Sequence, residues 1–158
     1  MKAKTIKGNS PEEIKTALEQ SMADGYKPTL AIAFISIMQD RNAICKLLEK
    51  ADIAVFGTTT NGEFIDEITE KGSAAILLLD INRNYFQIYF EEYPEKNYRE
   101  ITNALACRAK EKFSTSAFFI AGSNMETDAE ELLFGFEDVV GKGVNVYGCM
   151  AGDDFRRG

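Results

Sequence analysis

Apolar and polar positions along the chain alternate between a helical and an extended period, and the switches mark out the elements. Residues 10–13 read Ser-Pro-Glu-Glu, a helix start. Ser10 can cap, Pro11 fits the first turn, and Glu13 can reach back to close a capping box. Ile14, Ala17, Leu18 and Met22 then fall on one face at helical spacing, and Gly25 can end the helix. A short edge strand is expected before it, at residues 5–7. Residues 30–38, Leu-Ala-Ile-Ala-Phe-Ile-Ser-Ile-Met, form a nearly continuous apolar run that suits a strand buried on both faces of a sheet. Asp40 caps a second helix carrying Ala43, Ile44, Leu47 and Leu48, and residues 53–56 form the next strand. Strand, helix and strand within about 30 residues is the size of a parallel crossover unit.

The middle of the chain changes character. Residues 63–69, 74–81 and 85–93 read as successive strands, with turns at Gly72 and at Asn82-Arg83-Asn84. Tyr85, Gln87, Tyr89 and Glu91 alternate with Phe86, Ile88 and Phe90, a period of two. Short turns imply antiparallel pairing, so the expected sheet is mixed. Residues 97–113 predict a third helix with Ile101, Leu105, Ala109 and Phe113 at steps of four, and residues 117–121 a short strand. Thr127 and Glu130 predict a capping box for a helix with Leu132, Leu133, Phe136 and Val140 inward, ended by Gly141 and Gly143. Residues 144–147 form the last strand. The expected fold class is α/β: a mixed β-sheet with flanking helices, built from two related strand–helix–strand units (residues 30–64 and 117–155) plus an antiparallel meander, in one domain over residues 1–158.

The two units end alike. Residues 54–64 read Ala-Val-Phe-Gly-Thr-Thr-Thr-Asn-Gly-Glu-Phe, and residues 146–155 read Val-Tyr-Gly-Cys-Met-Ala-Gly-Asp-Asp-Phe. Each passes from an apolar run through aromatic-Gly (Phe56-Gly57, Tyr147-Gly148) and small residues to a second Gly (Gly62, Gly152), an acid and a Phe. Two matching strand-to-loop exits that face each other would form a small-molecule site. In the first unit the loop is followed by strands; the chain stops straight after the second loop, as expected of a piece of a longer protein.

Composition narrows the chemistry. With 18 basic and 25 acidic residues the formal net charge is −7. An acidic chain without a basic cluster is a poor nucleic-acid binder, because phosphate neutralisation dominates that affinity. The chain has no histidine, which removes Ser-His-Asp and Cys-His catalysis, histidine zinc sites and histidine-ligated haem. Three widely spaced cysteines, Cys45, Cys107 and Cys149, argue against a disulfide framework or a zinc site. Cys45 and Cys107 fall in helical patterns as buried, inert thiols, whereas Cys149 sits in the second loop. No run has the length of a membrane span and no apolar signal core follows the basic start, so a cytoplasmic location is expected.

The residues at the two loops resemble a known family. Phe56-Gly57-Thr58-Thr59-Thr60-Asn61-Gly62-Glu63 is similar to the Gly-Cys-Ser-Thr-Ala-Gly-Glu segment of FIST domains, in their N-terminal part. Residues 72–78 resemble the family's next strand, and residues 146–154 its later Gly-Gly-x-Ala-Ser/Gly-Asp-Asp segment. The order of elements fits, so the resemblance covers nearly the whole chain. Thr58 stands where the family has Cys and Asn61 where it has Ala; the C-terminal half of the family's two-part module is not in this sequence. FIST domains are sensory modules of bacterial signalling proteins, joined to histidine kinases, chemotaxis receptors or cyclic-dinucleotide enzymes, with relatives in F-box proteins. The resemblance implies sensing of a small-molecule ligand such as an amino acid, with the FIST C-terminal part and an output domain as partners. Some relatives are haem-dependent gas sensors; in this chain axial ligation would fall to Tyr147, Cys149 or Met150, and the lack of histidine disfavours haem.

The candidate ligand-binding residues are Gly57, Thr58, Thr59, Thr60, Asn61, Gly62 and Glu63 in the first loop, with Gly148, Cys149, Met150, Ala151, Gly152, Asp153 and Asp154 in the second. Ligands in open α/β sheets commonly bind beyond the carboxyl ends of strands, and Gly lets backbone amides approach them. Three threonine hydroxyls and the Asn61 amide donate and accept. Glu63, Asp153 and Asp154 suit a ligand ammonium group, and hydroxyls and amides suit a carboxylate, which together fit an amino-acid zwitterion. Thr, Asn, Gly and Asp are also ordinary turn residues, and Asp153 and Asp154 equally suit a cap. Neither loop carries a phosphate-binding motif. A metal held by Glu63, Asp153 and Asp154 would need the loops to converge. No residue is assigned a catalytic role: a nucleophilic Thr or Cys149 requires an activating base. An exposed apolar patch around Phe134 and Phe136 would instead mark a protein-interaction or scaffold domain.

Overall fold

The computed structural model describes residues 1–65, 68–123 and 127–152, with Ile68 described by its backbone alone. These residues divide into two compact units, Met1–Phe86 with Gly152, and Gln87–Ala151.

The first unit runs β1 (Lys2–Gly8), α1 (Pro11–Met22), β2 (Leu30–Ser36), α2 (Arg41–Lys50), β3 (Ala54–Thr60), β4 (Glu63–Ile65), β5 (Ile68–Glu70) and β6 (Ala74–Asp80). Four strands form a mixed sheet in the order β1-β6-β2-β3: β2 and β3 are parallel, and β6 lies antiparallel between β1 and β2. Both helices start where the sequence places their caps. Ser10 Oγ accepts from Glu13 N–H at 3.2 Å, Asp40 Oδ1 accepts from Ala43 N–H at 2.9 Å, and Glu13 reaches back to accept from Asn9 N–H at 2.8 Å. Such caps satisfy helix-end donors that otherwise lack partners, each worth about 1 kcal/mol.

The period of two along the strands decides which residues meet the helices. Ile6, Ala31, Ala33, Ile35, Ala74, Ile76 and Leu78 share one face and form the core with Ile14, Leu18, Ile44 and Leu48 of α1 and α2. Ile14, Ile44 and Leu48 are fully buried, each contributing about 2 kcal/mol of hydrophobic free energy. On the opposite face Leu30, Ile32, Phe34 and Phe56 are half-buried. Tyr26 belongs to the helix-side core and donates its hydroxyl to Leu78 O at 2.7 Å. The expected edge strand exists and is longer than residues 5–7. Two of its three lysines are ion-paired, Lys4 to Asp24 at 2.9 Å and Lys7 to Glu70 at 2.7 Å, and charge on an edge discourages pairing with another chain.

Two expectations for the middle of the chain are corrected. The single strand at residues 63–69 is a small antiparallel hairpin, β4 with β5. Residues 85–93 form no strand: Arg83–Tyr85 is a 3₁₀ turn and irregular backbone follows. The meander cannot continue beside β6, because β6 is already paired on both sides and has no unpaired edge for the strand that follows it.

The second unit runs α3 (Tyr98–Lys112), β7 (Ala117–Gly122), α4 (Ala129–Val140) and β8 (Asn145–Met150), with β7 and β8 parallel. Two helix details differ from expectation. Asp128, not Thr127, caps α4, its carboxylate accepting from Glu130 and Glu131 N–H at 3.1 Å. The buried face of α3 is Tyr98, Thr102, Ala106 and Ala109, whereas Ile101 and Leu105 are half-buried. The cause is close helix contact: a Cβ on Gly135 of α4 would lie 1.9 Å from Thr102 Oγ1 and 2.3 Å from Arg99 O, so small side chains must line the crossing. Leu132 and Phe136 point inward as expected, and Phe136 meets Phe118 at 4.5 Å between ring centres; Leu133 is exposed. Cys107 is exposed, contrary to the buried reading; Cys45 is half-buried, and burial with nearby Glu49 pushes its thiol up. Tyr93 knots the irregular segment onto the end of β7: its hydroxyl donates to Ser123 Oγ and accepts from Ser123 N–H, both at 2.8 Å. Burial pushes the Tyr93 phenol up, but the bonds from Ser123 and Thr127 outweigh that and hold it below its ordinary value.

Both parallel pairs share one local device. Gly57 is the fourth residue of β3 and lies opposite Ala33 of β2; Gly148 is the fourth residue of β8 and lies opposite Ile120 of β7. A Cβ at Gly57 would fall 2.1 Å from Ala33 O, and one at Gly148 2.0 Å from Ile120 O. The repeated aromatic-Gly of the sequence therefore marks a close backbone approach inside a strand, not the first residue of a loop. Gly57→Ala and Gly148→Ala should each destabilise the protein by about 3 kcal/mol, since the clash is with backbone that cannot rotate away; urea unfolding measures this. Tyr93→Phe leaves Ser123 N–H without its partner and should cost about 1 kcal/mol in the same assay.

Candidate functional site

β3 continues through Gly57, Thr58, Thr59 and Thr60, so the first loop shrinks to Asn61 and Gly62 before β4 begins at Glu63. This corrects the expected loop position of the three threonines. A strand also prevents their hydroxyls from converging: Thr59 pairs with Ile35 on the helix-covered face, while Thr58 and Thr60 pair with Phe34 and Ser36 on the other. All three are half-buried.

The carboxyl ends of β2 and β3 carry a cluster of buried polar groups. Ser36 and Ser73 have no exposed surface and Glu63 is 2% exposed. The Thr60 hydroxyl donates to Glu63 Oε1 at 2.5 Å. Ser73 donates both its N–H and its hydroxyl to Glu63 Oε2, each at 3.1 Å. The Ser36 N–H donates to Ser73 O at 2.9 Å, and the Ser36 hydroxyl accepts from Met38 N–H at 3.2 Å. Gln39 fixes the approach to β6 by donating to Gly72 O at 2.6 Å and Asn9 O at 2.8 Å. Glu63 thus binds the end of β3, the start of β4 and the residue before β6 through neutral donors. Among the described residues no lysine or arginine pairs with it. Removing its carboxylate would leave three donors unpaired in a buried site, at about 1–3 kcal/mol each.

Gly152 comes to the open side of β3. It donates its N–H to Thr59 O at 2.9 Å, and a Cβ there would lie 2.7 Å from Asn61 N. Of the second set of candidates, Gly152 is thus placed against the first. Gly148, Cys149 and Met150 belong to β8 rather than to a loop. Ala151 donates its N–H to Gly122 O at 2.8 Å. Asp153 and Asp154 lie outside the described residues. The haem candidates do not share a face: Tyr147 and Cys149 are exposed on one side of β8, and Met150 alternates to the other, where its sulfur packs on Gly122. Among the described residues no three His, Cys, Asp or Glu side chains gather as a metal site. The scaffold patch is corrected as well, because Phe136 is 2% exposed. Phe134 is half-buried and carries the Arg99 guanidinium over its ring.

Sequence reading missed Ser36 and Ser73. The signal was present: Ser36 is the one hydroxyl in the apolar run 30–38, and Ser73 separates Gly72 from the apolar run of β6. Both are isolated polar residues at the ends of strands whose remaining inward positions are apolar.

Chemically, the cluster fixes one proton. As a carboxylate Glu63 only accepts, so the Thr60 hydroxyl must give its hydrogen inward and keep its oxygen lone pairs for another donor. The Asn61 amide adds an exposed donor and acceptor at the strand end. No described helix is long and apolar enough to cross a membrane.

No curated protein and no solved structure matches this chain. The FIST N domain family model matches residues 29–158, a span that begins just before β2 and includes the Thr60–Glu63–Ser73 cluster. The chain therefore belongs to the FIST N domain family, a family of sensory domains in signalling proteins.

Proposed function

We propose that the chain is a small-molecule sensor whose ligand seats at the carboxyl ends of β2 and β3, on the face that carries Thr58 and Thr60. Asn61, Gly62 and Gly152 border this seat, and Gly57 lets β3 lie close to β2 beneath it. The observation that carries the reading is the concentration of buried polar groups, Ser36, Glu63 and Ser73, where the parallel strands end. Burying a carboxylate among neutral donors is costly, and strand ends of this kind are where α/β folds place ligands. The ligand class is an amino acid or a similar metabolite, with hydroxyls, backbone amides and the Asn61 side chain as its polar contacts. Gly148, Cys149, Met150, Ala151, Asp153 and Asp154 belong to the same proposal as residues of the second motif. Binding shifts a conformational population, which an attached output domain such as a histidine kinase or a chemotaxis receptor reads in the cytoplasm. The FIST C-terminal part is the expected neighbour, and no turnover is assigned to the site.

A protein-docking role is the second reading. Phe64 favours it, because this aromatic residue of β4 is 78% exposed.

A thermal-shift screen of amino acids, organic acids and haem against the full-length protein separates these readings. A ligand at about 100 times its Kd stabilises by about 2.7 kcal/mol, which raises Tm by roughly 5–10 °C in a chain of this size. Thr58→Val and Thr60→Val should abolish the shift, whereas Thr59→Val, on the opposite face, should retain it. Silence across the panel, or equal loss in all three variants, would contradict the reading. Retained response to metabolites in Phe64→Ala would set the docking role aside.

A further inference from the structure

The carboxylate of Glu63 is too buried to meet a ligand, yet it governs the oxygen that Thr60 offers. We propose that Glu63 is a positioning residue that makes Thr60 a hydrogen-bond acceptor, so that the ligand meets Thr60 with an ammonium group and not with a carboxylate. The inference rests on the ligand seat proposed above and names the end of the ligand that this part of the seat receives.

Three observations carry it. First, Glu63 is 2% exposed and both its oxygens are engaged, Oε1 by Thr60 and Oε2 twice by Ser73. Direct contact between a ligand and Glu63 would require displacing the groups that bury it. Second, the direction of the Thr60 bond is forced. A carboxylate accepts and does not donate, so the single Thr60 hydrogen points at Glu63 and only lone pairs remain for the ligand. Third, the charge of Glu63 meets neutral donors only, among the described residues. A buried negative charge without a counter-ion favours a cation nearby, and Thr60 is the half-buried group that links it to the outside. A ligand carboxylate at Thr60 would bring two acceptors together beside a like charge.

The Ser73 backbone turns this geometry into a test. Its N–H is a donor that cannot reverse. Glu63→Gln must therefore set its carbonyl oxygen against Ser73 and its NH₂ against Thr60. The Thr60 hydroxyl then accepts from Gln and swings its own hydrogen outward. A nearly isosteric change thus inverts the polarity that Thr60 shows a ligand.

The experiment follows threonine methyl signals by NMR in the full-length protein during titration with methylammonium chloride and with sodium acetate, at matched ionic strength. In the unaltered protein methylammonium should move the Thr60 methyl saturably, at least tenfold more tightly than acetate. In Glu63→Gln the order should reverse. In Thr60→Val, read at the neighbouring Thr58 methyl, the preference for methylammonium should vanish, and this arm decides the matter if Glu63→Gln does not fold. A merely structural role for Glu63 would weaken both probes together and would not exchange their order. The inference is overturned if acetate binds as well as methylammonium, if neither moves Thr60, if Glu63→Gln folds and keeps the original order, or if the preference survives in Thr60→Val. A metabolite that still stabilises the protein under any of these outcomes leaves the sensing reading standing while removing the role given to Glu63.

Discussion

The buried carboxylate of Glu63 is the constraint around which the candidate site is built. It sits where β3 has ended, β4 begins and β6 is about to start, and it holds all three through Thr60 and Ser73. An apolar side chain in its place would fill the volume but leave the Ser73 amide and two hydroxyls without partners. The position therefore makes sense as a device for fixing the direction of hydrogen bonds, and the helix-covered core of Ile14, Ile44, Leu48 and Ile76 supplies the stability that permits it. The sheet and the oriented hydroxyl are thus two levels of one arrangement, since the register pairs Ser36 with Thr60 and Thr60 donates to Glu63.

Much of this architecture is legible in the sequence. Ser10, Asp40 and the apolar run from Leu30 announce elements whose local preference agrees with their tertiary role, and the structure follows them. The two aromatic-Gly motifs mark equivalent places in two parallel strand–helix–strand segments, and the family resemblance they carry is matched over residues 29–158. What local pattern misjudges is where a strand stops. Gly57 and Gly148 read as exits because Gly breaks strands; in the fold they are demanded by the carbonyls of Ala33 and Ile120, and the strands run on for three and two residues respectively. A contact with a neighbouring strand has no signature in a single segment.

The same physics explains the remaining misreadings. Residues 85–93 have a strand's period, yet a strand needs an open ladder, and both sides of β6 are taken by partners that lie far away in sequence. The inward face of α3 is set by how closely Gly135 lets α4 approach, so Thr102, Ala106 and Ala109 displace the bulkier Ile101 and Leu105 from the centre of the contact. For the site, the residue types were readable but their roles were not. Glu63 reads in the sequence as a candidate partner of a ligand ammonium group; in the fold it is buried and accepts from Thr60 and Ser73. In the proposed seat this leaves the Thr60 oxygen, and not Glu63 itself, as the group turned toward a ligand.

The decisive measurement is a crystal structure of the full-length protein saturated with a stabilising metabolite. Ligand density should lie on the Thr58 and Thr60 face of β3, with a nitrogen within hydrogen-bonding distance of Thr60 Oγ1 and the Thr60–Glu63 bond intact. Ligand density elsewhere, or a ligand carboxylate on Thr60 with the bond to Glu63 broken, would contradict the roles given to Thr60 and Glu63.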